Sequence, residues 1–166
     1  MSGQWKVVIT EPWDKTLETH RFLERAGCDL ILGTSNWESA DPCYDEDQLV
    51  EMAHDADAIM GASRERYTRK LIESCPRIRI LSKYGIGTET IDVNAATEAG
   101  VLVSYTPVSE NVESVCEYTL TLILALAKKL IPSQEFMQAG GWRGTDLMPT
   151  NLSALTVGIL GFGRIG

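Results

Sequence analysis

The sequence is short of positive charge. Its 166 residues carry 15 Lys and Arg against 23 Asp and Glu, a formal net charge of −8. A phosphate backbone calls for a broad basic face, so this balance argues against a nucleic-acid binder. It argues equally against docking on an acidic membrane surface. Long apolar runs are also missing. The strongest, Leu120 to Leu126, is preceded by Glu117 and closed by Lys128 and Lys129. A membrane span needs about 20 apolar residues, so this run reads as a buried helix. The N-terminus, Met1-Ser2-Gly3-Gln4-Trp5-Lys6, has no basic region leading into an apolar stretch, and hence no secretory signal is expected. Cys28, Cys43, Cys75 and Cys116 contain no C-x-x-C pair, and His20 and His54 complete no zinc pattern. Scattered cysteines without a signal read as reduced thiols, and the expected location is cytoplasmic.

What is present is an ordinary globular composition, 44% hydrophobic and 23% charged, in which two apolar periods alternate. Strands are expected at 6–10, 29–32, 58–60, 78–81 and 101–103. Helices are expected over 14–26, 45–53, 68–74 and 92–99. Asp45 with Gln48 three residues on has the spacing of a capping box, and the acidic stretch 36–45 reads as a loop. Strand–helix alternation with short connections implies a doubly wound parallel sheet, whose ligands sit beyond the carboxyl ends of the strands. The loops at 10–13, 61–67, 83–90 and 104–111 are therefore the ones that can carry a site.

After residue 104 the composition shifts. Residues 1–104 hold 18 acidic and 11 basic residues; residues 105–166 hold 5 and 4. Two domains are expected, divided there. A long helix is expected from Asn111 or Ser114 to Ile131, limited or kinked by Pro132. Its apolar residues fall on more than one side, so it needs cover from a second domain or a second chain. A strand is expected at 156–160.

Three constellations could carry chemistry. Gly161-x-Gly163-x-x-Gly166 has the G-x-G-x-x-G spacing directly after the expected strand. There the first glycine permits the turn, the second admits a pyrophosphate, and the third lets a helix pack. The alternative is a glycine-rich end without a ligand. Lys83-Tyr84-Gly85-Ile86-Gly87-Thr88 follows an expected strand end. It is either a small anion-binding concavity or a tight connection with no ligand. The positive charge of the first half concentrates in 64–83. Arg69, Lys70, Arg77 and Arg79 read as a solvated helix face, whereas Arg64, Arg66 and Lys83 fall nearer the ligand side. His20 and His54 read as surface histidines.

These residues converge on a family. The stretches Gly85-Ile86-Gly87-Thr88-Glu89-Thr90-Ile91-Asp92, Ala95 to Val101, Thr106-Pro107, Asn111 to Glu117 and Val157 to Gly166 resemble the D-isomer-specific 2-hydroxyacid dehydrogenases, with the 3-phosphoglycerate branch nearest. The resemblance implies a flavodoxin-like substrate domain over 1–104. A linker helix and the truncated start of a Rossmann nucleotide-binding domain would follow over 105–166. It implies that Ile86 and Gly87 offer backbone N–H groups to a substrate carboxylate, with Arg64 and Asn111 beside the substrate. Val115 would lie by the nicotinamide, and Gly161, Gly163, Arg164, Ile165 and Gly166 would form the NAD (or NADP) site. It implies a small anionic 2-hydroxy acid as substrate and a homodimer.

Two departures stand out. Ala62-Ser63-Arg64-Glu65 replaces an Arg-Ser-Arg-Thr or Arg-Ser-Ala-Thr run, so the first Arg is lost. Cys116 replaces a small Ala. The family's catalytic Arg, Glu and His lie downstream of the glycine fingerprint, so these 166 residues alone are expected to be inactive. The alternative is a non-catalytic peptide-binding or dimerisation module of the kind seen in dehydrogenase-like corepressors.

Overall fold

The computed structural model describes residues 4–34 and 41–166. It divides into two compact units, Met1–Pro107 and Val108–Gly166. Residues 36–40 of the loop expected at 36–45 lie outside the described residues, and 41–45 form neither helix nor strand.

The first unit is a five-stranded, wholly parallel sheet in the order β2-β1-β3-β4-β5. Its strands are β1 Trp5–Ile9, β2 Cys28–Leu32, β3 Ala58–Gly61, β4 Ile80–Lys83 and β5 Leu102–Ser104. The helices between them are α1 Glu18–Arg25, α2 Glu46–Ala53, α3 Arg69–Ser74 and α4 Val93–Glu98. This is the flavodoxin-like order, which reverses direction between β1 and β3. The β-branched run Val7-Val8-Ile9 is fully buried, as a central parallel strand requires. Val8, Ile59 and Leu81 pack with Leu49, Leu71 and Ala96 from the covering helices. Polar side chains set the helix starts. Asp45 accepts from Gln48 N at 2.8 Å while Gln48 Oε1 accepts from Asp45 N at 2.9 Å. Thr68 and Asp92 cap α3 and α4 through Leu71 N and Ala95 N.

Several boundaries differ from expectation. The fourth strand starts at Ile80, because the chain first turns, with Ile78 N donating to Cys75 O. Lys83 is thereby the last strand residue, and the glycine loop begins at Tyr84. Residues 14–17 are not helical. Asp14 instead gathers Thr16 N, Thr16 Oγ1 and Thr19 N, and Leu17 enters α1 in a left-handed conformation (φ +61°).

The second unit holds α5 Ser109–Ala127, α6 Leu130–Gln138 and two short 3₁₀ turns at Thr145–Leu147 and Leu152–Ala154. The long helix starts before Asn111, which lies in its first turn rather than capping it. It also stops before Ile131. Pro132 has no N–H for the Lys128 carbonyl, and its ring would clash there. The chain breaks at Lys129 (φ +51°), and Pro132 is accommodated in the first turn of α6. The strand expected at 156–160 does not form, since among the described residues no strand lies alongside to pair with it. Among the described residues no helix is long and apolar enough to cross a membrane, and all four cysteines are free thiols.

Candidate functional site

Three features meet at the carboxyl end of the sheet. The first is the loop after β4. Gly85 takes φ +152°, and an added Cβ there would lie 3.5 Å from Ser63 Oγ and 3.9 Å from Lys83 Cε. Gly85 N donates to Thr106 Oγ1 at 2.9 Å, and Thr106 N donates to Gly85 O at 2.8 Å, which ties the loop to the end of β5. The next two amides, Ile86 and Gly87, donate to no other described residue. Both residues are only half-buried. Beneath the loop Lys83 is 3% exposed, and its ammonium donates to Thr90 Oγ1 at 3.2 Å. Its nearest carboxylate, Glu89, is 3.8 Å away and lies across Gly87, where an added Cβ would meet Glu89 Oε1 at 2.2 Å. Exposed Glu89 is a flexible side chain resting where a carboxylate can be received. Two undirected amides over a buried ammonium can hold such a group.

The second feature is an ion cluster behind β1 and β3. Arg64 does not stand open to solvent. Its Nε donates to Glu11 Oε2 at 3.2 Å, and its Nη2 pairs with the same oxygen. Glu11 is 4% exposed and Glu65 is fully buried. Burial pushes the Glu65 carboxyl up, and hydrogen bonding to Glu11 and the charge of Glu11 add to it. The Arg64 guanidinium is raised by its hydrogen bond to Glu11. Among the described residues Glu11 Oε1 and Glu65 Oε2 have no hydrogen-bond partner and are both buried.

The third feature is a cleft of about 380 Å³ over the β1/β3 switch point. Ile9 and Met60 form its floor, and Glu11, Trp13, His20 and Tyr84 contribute to its lining. The Trp13 and Tyr84 rings pack with centroids 4.9 Å apart. His20, read from sequence as a surface residue, is 7% exposed and faces this cleft. The turn at Asp14 delays the start of α1 to Glu18, and His20 lies in the first turn of that helix. His54 is exposed, with Nδ1 3.3 Å from Ser74 O.

The remaining basic residues are accounted for individually. Arg69 pairs with Glu73 and Glu98, and Lys70 with Glu46 and Asp47. Arg77 holds Asp57, and Arg79 lies 5.5 Å over the Trp5 ring. Arg66 is exposed.

The other expected site residues lie in the second unit. Asn111 and Val115 are exposed on α5. Gly161 adopts φ +89°, and the space beside Gly163 is open where a Cβ would project. A Cβ on Gly166 would meet Gly161 O at 2.4 Å, so the two ends of the turn nearly touch. Cys116 Sγ donates to Ile165 O at 3.1 Å, which fixes the loop holding Gly161, Gly163, Arg164 and Ile165 against the turn of α5 that carries Val115.

Comparison with known proteins gives one answer. The D-3-phosphoglycerate dehydrogenase of Methanocaldococcus jannaschii is 33% identical over 162 residues, covering 97% of this chain and 28% of that protein. The glyoxylate reductase of Thermococcus kodakarensis is 34% identical over 125 residues, covering 71% of this chain and 37% of that protein. The chain thus spans well under half the length of these relatives. The NAD-dependent formate dehydrogenase of Staphylococcus aureus, solved with NAD, superposes with a TM-score of 0.77 at 26% identity, covering 96% of this chain and 50% of that one. The family profile described as D-isomer specific 2-hydroxyacid dehydrogenase, catalytic domain, matches residues 7–159. With that match across most of its length, the chain belongs to the D-isomer specific 2-hydroxyacid dehydrogenase family.

Proposed function

We propose that this chain provides the substrate domain and the beginning of the nucleotide domain of an NAD-dependent dehydrogenase acting on a small D-2-hydroxy acid. The observation that carries this reading is the pair of undirected amides at Ile86 and Gly87, above the buried ammonium of Lys83. They bind the substrate carboxylate by charge-assisted hydrogen bonds and orient C2. Asn111 is assigned beside the substrate and Val115 beside the nicotinamide.

The residues of the second unit fit a dinucleotide. Gly163 leaves its backbone open to a pyrophosphate, and Gly161 and Gly166 make the tight turn that brings the backbone close. Arg164 and Ile165 lie in the same turn, with Arg164 supplying positive charge toward the phosphates. When bound, NAD supplies the acceptor for the hydride leaving C2. Proton transfer and the second clamp on the carboxylate fall to the Arg, Glu and His that the family carries downstream of the fingerprint. The 166 residues by themselves are therefore assigned binding without turnover. We further assign the exposed apolar residues of α5 to a homodimer interface, as the family resemblance implies.

Calorimetric titration tests the reading. Glycolate and NAD each bind the chain, and ethylene glycol, which lacks the carboxylate, does not. Equal responses to glycolate and ethylene glycol would contradict it.

A further inference from the structure

The cleft beside the glycine loop carries a chemistry that the carboxylate site does not use. It lies over the point where the strand order reverses, between the ends of β1 and β3, where doubly wound sheets place their ligands. Tyr84 both lines the cleft and directly precedes Gly85, so the cleft adjoins the carboxylate site. Among the described residues no Lys or Arg lines it, whereas Glu11, Asp14 and Glu18 do. Asp14 is held ionised by the hydrogen bond from the Thr16 hydroxyl and by the backbone amide of Thr19. Trp13 and Tyr84 add aromatic surface to the same lining. Arg64, the residue best placed by sequence to receive a phosphate, is neutralised by Glu11.

On the reading given under Proposed function, we propose that this cleft is the subsite for the substrate's tail. It takes a positively charged nitrogen, an ammonium or a guanidinium, rather than a phosphate, and Glu11 is the specificity-determining residue. Aromatic faces attract such a cation, and the effect strengthens as water is excluded. A phosphate placed there would meet carboxylates and no unpaired cation. Glu11 acts by keeping the Arg64 charge from a bound anion, while Asp14 and the exposed Glu18 supply the negative charge of the lining.

The test is amide and indole chemical-shift titration of the 166-residue chain. The probes are glycolate, 2-hydroxy-5-guanidinopentanoate, 3-phosphoglycerate and methylguanidinium. The guanidino acid binds about tenfold tighter than glycolate, an increment within the range of a desolvated cation–aromatic contact. It shifts the Trp13 indole, His20 and Tyr84 as well as Ile86 and Gly87, and 3-phosphoglycerate gains nothing over glycolate. Methylguanidinium alone shifts Trp13 and Tyr84. Glu11→Gln improves 3-phosphoglycerate and weakens the guanidino acid. Should that variant fail to fold, Trp13→Leu replaces it, lowering affinity for the guanidino acid at least fivefold more than for glycolate. Tighter binding of 3-phosphoglycerate than of the guanidino acid, or cationic probes that leave Trp13 and Tyr84 unmoved, would overturn the subsite. Loss of the glycolate response at Ile86 and Gly87 would instead overturn the carboxylate site, while methylguanidinium still reports on the cleft.

Discussion

Arg64 is held on the buried carboxylate of Glu11, with side-chain exposures of 15% and 2%. The pair joins the loop after β3 to the loop after β1, across the switch point of the sheet. Its first role is therefore structural. Arg64→Ala leaves Glu11 buried without its counter-charge, and breaking such a pair costs about 3–5 kcal/mol. Replacing both partners, Arg64→Met with Glu11→Gln, recovers much of that loss. Urea unfolding of the single and double variants measures the difference.

Glu65 contributes a pH dependence of definite sign. Its carboxyl is raised by burial first and by Glu11 second. Above the usual carboxylate range the unfolded chain has released this proton and the folded chain retains it. The contribution to stability is thus present at low pH and declines as pH rises toward the folded value. Asp14 and Asp57, whose carboxyls are lowered, act in the opposite sense and at more acidic pH. Glu65→Gln flattens the decline above about pH 4.5, the usual glutamate range. Thermal melts from pH 4.5 to 8 show the two proteins converging at the acidic end and the variant more stable at the basic end.

Gly61 closes β3 against the buried ring of Tyr67. An added Cβ would stand 1.7 Å from Tyr67 Oη and 2.8 Å from Thr10 Oγ1. Both neighbours are buried and cannot swing into solvent. Gly61→Ala is expected to destabilise the first unit by about 1–3 kcal/mol, the range for overpacking. A denaturant midpoint unchanged from the parent would contradict this.

The two glycines of the substrate loop separate by conformation. Gly85, not Gly87, carries the positive φ, whereas a side chain at Gly87 first meets the exposed and flexible Glu89. Gly85→Ala therefore costs about 1 kcal/mol or more of stability. Gly87→Ala stays within about 0.5 kcal/mol, yet weakens glycolate binding by crowding the amide. Unfolding and binding curves on both variants check the division.

Much of the fold was legible because the pattern was local. Val7-Val8-Ile9, the Asp45–Gln48 capping box and the Gly27 and Gly100 helix ends are written in neighbouring residues. The features that went unread depend on distant partners. Arg64 reads as a free cation until Glu11 arrives from 53 residues away. His20 reads as exposed until the ends of β1 and β3 close the cleft that it lines. Residues 156–160 have the composition of a strand, but a strand needs a neighbour to bond. Cys116 reads as a packing change, and its hydrogen bond to Ile165 O spans 49 residues.

The central claim is that the amides of Ile86 and Gly87 receive the substrate carboxylate. A glycolate titration of the 166-residue chain, followed by amide proton and nitrogen shifts, tests it most directly. The account predicts saturable binding near millimolar, about −4 kcal/mol, with the largest shifts at Ile86 and Gly87 and smaller ones at Gly85 and Thr88. Shifts centred anywhere else in a folded chain, or unchanged shifts in the Gly87→Val variant, would contradict it.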